Sequence, residues 1–67
     1  MNIKEQIGLT AGDVWHLLNQ SGPQTLAQLK KGLNGGAEFL PFAIGWLARE
    51  DKVEIAADKK SIRVHLK

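Results

Sequence analysis

Three features of the sequence predict an α+β fold of three helices followed by a two-stranded antiparallel hairpin. Apolar residues recur at helical spacing in three separate stretches, Asn34-Gly35-Gly36 divides the second stretch from the third, and after Val53 the hydrophobic period changes to two. The chain has 67 residues, enough for one domain over 1–67 with a small core.

Asn2 followed by Glu5 has the spacing of a capping box, with Asn in place of Ser or Thr. Ile3, Ile7, Ala11, Val14 and Leu18 then form one apolar stripe, widened by Leu17. The first helix is expected over about 3–20, weakened by Gly8 and Gly12, with Gly22 at its stop and Pro23 preventing continuation. Thr25 and Gln28 form a second capping box. Leu26, Leu29 and Leu33 give a short second helix over about 26–33. The third is expected over about 37–50, with Gly36 as N-cap and Pro41 tolerated because it falls near the first turn, where backbone donors lack intrahelical partners.

In the last segment, pairing Ile55 with Val64 also pairs Val53 with Leu66 and Ala57 with Ile62, so all six side chains share one side. Asp58-Lys59-Lys60-Ser61 is then a four-residue loop, since Lys-Lys suits a tight primed turn poorly.

Helix, helix, short turn, helix and hairpin is the order of a winged helix-turn-helix. The run Ala43-Ile44-Gly45-Trp46-Leu47-Ala48-Arg49-Glu50-Asp51-Lys52-Val53 resembles a motif of an uncharacterised family of short prokaryotic winged-helix proteins. Ala11-Gly12 with Trp15, and Leu29-Lys30-Lys31, match further positions of that pattern. The resemblance runs over nearly the whole chain and implies the fold; the family itself carries no established activity. Gly35 stands where the family usually has an apolar residue, and Phe39 where it usually has a polar one. The layout is also similar to the terminal winged helices of the selenocysteine-specific elongation factor, which bind RNA.

Composition narrows the chemistry. There is no cysteine, which removes disulfides, thiolate metal sites and a cysteine nucleophile. No stretch approaches the roughly 20 apolar residues that cross a bilayer. Asn2-Ile3-Lys4-Glu5-Gln6 does not read as a signal peptide, so a soluble, cytoplasmic chain is expected. Asp13 and His16, three apart, read as a surface helix pair rather than a catalytic dyad, and His65 as the cross-strand partner of Glu54. Gly32 to Gly36 lacks the strand and the Gly-Lys-Ser/Thr ending of a phosphate loop. No enzyme, cofactor, metal or small-molecule substrate is expected.

The net charge is only +2, but Lys52, Lys59, Lys60, Arg63 and Lys67 outnumber Glu54 and Asp58 at the C-terminal end. That suits either contact with phosphate or an ordinary solvated hairpin. On a helical wheel the third helix turns Leu40, Ala43, Ile44 and Leu47 to the core and Phe39, Phe42 and Trp46 to a flank. Pro41, Gly45, Ala48 and Arg49 remain for a DNA groove, and of these Arg49 alone offers a bidentate contact to guanine. The candidate nucleic-acid residues, for DNA or RNA, are therefore Lys30, Lys31, Gly36, Arg49, Lys59, Lys60 and Arg63, acting mainly on phosphates. Phe39, Phe42 and Trp46 have two readings: core, packed under the wing or against the first helix, or the interface of a homodimer or protein partner. An intermediate form of the two buries Trp46 and leaves Phe42 at the rim.

Overall fold

The computed structural model describes residues 2–33, 35 and 37–67. Asn34 and Gly36, and with Gly36 the expected N-cap of the third helix, lie outside the described residues. The first helix, α1 (Ile3–Ser21), opens with the Glu5 amide donating to Asn2 Oδ1 at 3.2 Å. It closes at Gly22, whose amide makes the last helical bond to the Leu18 carbonyl at 2.8 Å and whose φ of 76° then turns the chain out of the helix. Thr10, Ala11, Val14 and Leu18 are its buried positions.

Gly8 and Gly12 lie inside α1 with open space where a Cβ would stand. Replacing both by alanine is expected to stabilise the domain by about 0.5–1 kcal/mol each. Thermal unfolding followed by circular dichroism should rise by about 4–8 °C per kcal/mol. An unchanged or lower midpoint would mean that the space is already occupied.

After Pro23, two residues form a strand that their short length hid, β1 (Gln24–Thr25). Thr25 must be extended to cap a helix, and with φ −78° and ψ 165° it presents its backbone to a neighbouring strand edge. It caps α2 (Leu26–Gly32) through the complete box: the Gln28 amide donates to Thr25 Oγ1 at 3.2 Å, and the Thr25 amide to Gln28 Oε1 at 2.9 Å. The helix stops one residue earlier than expected, at Gly32. Leu33 is its extended C-cap, with the amide on the Leu29 carbonyl.

The third helix is not one continuous α-helix over 37–50. Ala37–Phe39 is a 3-10 turn, and α3 proper spans Leu40–Arg49. Pro41 explains the change, because it has no N–H for the carbonyl four residues back and its ring crowds that position. At the other end the Lys52 amide reaches the Leu47 carbonyl and the Asp51 amide the Ala48 carbonyl, each at 3.0 Å, with Asp51 at φ 62°. This is a Schellman stop with aspartate where glycine is usual. It turns the chain directly into the wing.

β2 (Val53–Ala57) and β3 (Ile62–Leu66) pair antiparallel with Val53 opposite Leu66, Ile55 opposite Val64 and Ala57 opposite Ile62, the register the alternation predicted. The sheet nevertheless has three strands rather than two, in the order β1-β3-β2, because Gln24 and Thr25 lie beside Val64 and Arg63. Leu18, Leu29, Leu40, Val14 and Val64 are the largest fully buried side chains, and the core sits where α1, α2, α3 and the base of the hairpin meet. On the face toward the helices Val53 and Val64 are buried, whereas Ile55, level with Val64 but on the edge strand, and Ile62, nearer the tip, stand 44% and 39% exposed.

Candidate nucleic-acid interface

The wing tip is built around one carboxylate. Asp58 Oδ1 accepts the amides of Lys60 and Ser61, each at 2.8 Å, and the Asp58 amide donates to the Ser61 carbonyl at 3.0 Å. The four-residue loop expected between the strands is thus an Asx-type turn. Those backbone donors, chiefly that of Lys60, hold the Asp58 carboxyl below its ordinary pKa. A depressed folded-state pKa stabilises the protein above the unfolded value and loses that contribution as pH falls through the folded one. Asp58→Asn is therefore expected to flatten the acid limb of a stability-versus-pH profile. An acid limb identical to that of the parent would show that the turn does not depend on the ionised form.

With Asp58 engaged in the turn, Lys59 and Lys60 are exposed at the tip. They line an open cleft of about 500 Å³ together with Asp58 itself, Thr25, Leu26 and Ala27 at the start of α2, and Ser61 and Ile62. Arg63 is exposed on the outer face of β3, in register with Ala56 and Thr25. Lys30 and Lys31 are exposed in the last turn of α2. The wing tip meets the start of α2, while Lys30 and Lys31 stand at the other end of that helix. Arg49 is placed apart from them. It lies in the last turn of α3, next to Trp46 and Glu50, at the base of a wing whose strands run about 17 Å.

The C-terminal charge excess is smaller in space than in sequence. Lys67 forms ion pairs with Asp51 and, at 3.6 Å, with Glu54, and these carboxylates raise its pKa, that of Asp51 most. The register signals the Glu54 contact, since Lys67 lies diagonally across from it, two residues beyond its partner His65; Asp51 lies outside the strand, at the left-handed stop of α3. Glu54 and His65 are register partners as expected, but the ion pair of Glu54 is with Lys67, and His65 Nδ1 lies 3.0 Å from the Leu66 carbonyl. Asp13 and His16 are both exposed on α1, with the His16 ring edge-on to Trp15 at 5.5 Å.

The buried face of α3 is Leu40, Ala43, Ile44 and Leu47, the four that the wheel selected. The core reading of its flank does not hold. Phe42 is 61% exposed and Trp46 46%, while Phe39 is half-buried. Those four residues already fill the contact with α1 and the sheet, so the flank projects past it. Beside Trp46, Gly8, Ala11 and Gly12 leave a groove closed at its ends by Trp15, His16 and Lys52. Pro41, Gly45 and Arg49 are exposed and Ala48 half-buried. The outer side of α3 thus offers a proline, a glycine and two large aromatics around one cation.

Among the described residues no helix is long and apolar enough to cross a membrane. The chain is similar to an uncharacterized protein, MJ1608, of Methanocaldococcus jannaschii, with 42% identity over 65 residues, covering 92% of this chain and 91% of the relative. It is also similar to the solution NMR structure of protein BT2368 from Bacteroides thetaiotaomicron, with a TM-score of 0.81 and 35% identity over 97% of this chain and 79% of the other. Residues 1–66 match the family described as Winged helix-turn-helix domain (DUF2582). Sharing its helix order and hairpin, the chain belongs to that winged helix-turn-helix family.

Proposed function

We propose that this winged helix contacts the backbone of nucleic acid, double-stranded DNA in the first place, with little sequence preference, as a cytoplasmic transcription-associated or nucleoid-type protein. The observation that carries the reading is the wing tip. Lys59 and Lys60 stand free beside the start of α2 while the neighbouring carboxylate of Asp58 is engaged by the turn's own amides. Arg63, Lys30 and Lys31 extend the charge, and Gly36, a candidate from the sequence, lies outside the described residues. Phosphate contacts of this kind position a protein without reading sequence. Discrimination between bases needs bidentate side chains in the major groove, and α3 supplies Arg49 alone. Fluorescence anisotropy with a random-sequence duplex at low salt tests the reading. Binding that falls steeply with salt and varies little between duplexes is expected. No change up to high micromolar protein would overturn it.

The exposure of Phe42 and Trp46 favours a second use of the same domain, contact with a protein partner across Phe39, Phe42 and Trp46. Exposed aromatics of this size are the residue type that anchors protein interfaces. Phe42→Ala is then expected to abolish partner binding without lowering stability.

A further inference from the structure

The outer edge of β2 is open, and its sequence is complementary to itself. The sheet order β1-β3-β2 leaves β2 paired on one side only. Lys67 donates to the Lys52 carbonyl and Asp58 to the Ser61 carbonyl. In an antiparallel ladder hydrogen-bonded positions alternate, so Lys52, Glu54, Ala56 and Asp58 direct their backbone groups to β3, and Val53, Ile55 and Ala57 direct theirs to the free edge. Such an edge is a template for another strand.

The run from Lys52 to Asp58 says which strand. About Ile55, Glu54 falls opposite Ala56, Val53 opposite Ala57 and, at the two ends of the strand, Lys52 opposite Asp58. Lys52 thus meets the opposite sign twice, once on each side of the axis, and Glu54 meets an alanine. Opposite charges across a strand pair stabilise it and like charges oppose it. The centre of this pattern is also a position whose backbone faces outward, as a two-fold antiparallel pairing requires. Ile55 is 44% exposed and would meet its own copy across the axis, covering apolar surface that the helices leave open. Both turn bonds of Asp58 end on Oδ1, so Oδ2 keeps its capacity for a lysine.

We infer that β2 is a homodimerisation edge: two copies of this chain pair their β2 strands antiparallel about Ile55, joining two three-stranded sheets into one of six. The interface is isologous, the same patch on both copies. It places the wing tip of each copy beside the C-terminal end of α3 of the other. Lys52 of each copy then faces Asp58 of the other. The inference stands independently of the nucleic-acid reading.

Analytical ultracentrifugation over a dilution series, with the two variants Ile55→Lys and Ile55→Glu, tests it. The parent chain is expected to move from 7.4 kDa toward twice that mass as concentration rises, and less so at high salt. Each variant alone places like charges across the axis and is expected to stay monomeric, with circular dichroism showing an intact fold. Mixed in equal amounts, the two are expected to regain dimer, because lysine then opposes glutamate. A parent chain that stays monomeric to millimolar concentration would overturn the inference. So would variants that dimerise alone, a mixture that does not recover dimer, or a dimer lost in Phe42→Ala and kept in Ile55→Lys.

Discussion

Leu29→Ala is expected to bring the domain to the edge of unfolding at room temperature. Leu29 is the buried residue of α2 and is wholly shielded from solvent. Truncating a leucine in such a position costs about 2–5 kcal/mol, the lost transfer energy plus the cavity left behind. A chain of 67 residues has a total stability on the order of 3–10 kcal/mol. One side chain therefore accounts for a large share of the whole. α2 is a seven-residue helix, too short to persist without its tertiary contacts, so losing Leu29 should release it. Ile62→Ala is the matching control, since it also removes an aliphatic side chain but from an exposed place on the wing. It is expected to cost about 1 kcal/mol or less. Urea unfolding of the two variants should separate them clearly; equal midpoints would place the core elsewhere than described.

The second large effect is on binding. Were Lys30, Lys31, Lys59, Lys60 and Arg63 each to neutralise one phosphate, the logarithm of the binding constant would fall with the logarithm of salt at a slope of about −4.5. That corresponds to about 500-fold weaker binding between 50 and 200 mM salt. Lys59→Ala with Lys60→Ala removes two of the five, so the slope should drop to about −2.7 and the same salt step should weaken binding by about 40-fold. Arg49→Ala serves as the contrast. Standing a strand's length from the wing tip, on a helix that stays out of the contact, it should leave the slope intact. A double lysine variant with an unchanged slope would move the electrostatic contact off the wing.

Much of the fold was legible because the relevant physics is local and periodic. The α3 core face follows from 3.6-residue periodicity alone, and the β2–β3 register from the requirement that six apolar side chains share a side. What escaped depends on contacts or on single residues. β1 is two residues long, so it has no period to detect, and it becomes a strand only because β3 has an edge beside the Thr25 cap. The 3-10 turn before α3 is a consequence of Pro41, whose position near a helix start was recognised but whose effect on the preceding turn was not. Asp51 in a left-handed conformation carries the chain into the wing without the glycine that usually marks such a stop, and Lys67 pairs with it there.

The candidate surface was less legible than the fold. Sequence assigns Phe39, Phe42 and Trp46 to a flank of α3, but a flank is core or surface according to what stands opposite. Opposite Trp46 stand Gly8 and Gly12, which offer no side chain to cover it. The same glycines that weaken α1 as a helix leave the aromatics open. The wing lysines were visible as a charge run, whereas the shape of the tip that presents them depends on Asp58 Oδ1 accepting the turn's own amides.

The central claim is that phosphate meets the wing and α2 while the outer face of α3 stays out of the contact. A titration of ¹⁵N-labelled protein with a random-sequence duplex, followed by amide chemical shifts, tests it most directly. The account predicts perturbed amides at Lys30, Lys31 and Lys59 to Arg63, with Phe42, Gly45 and Trp46 unmoved. Shifts concentrated on Phe42, Gly45, Trp46 and Arg49, with the wing tip unmoved, would contradict it.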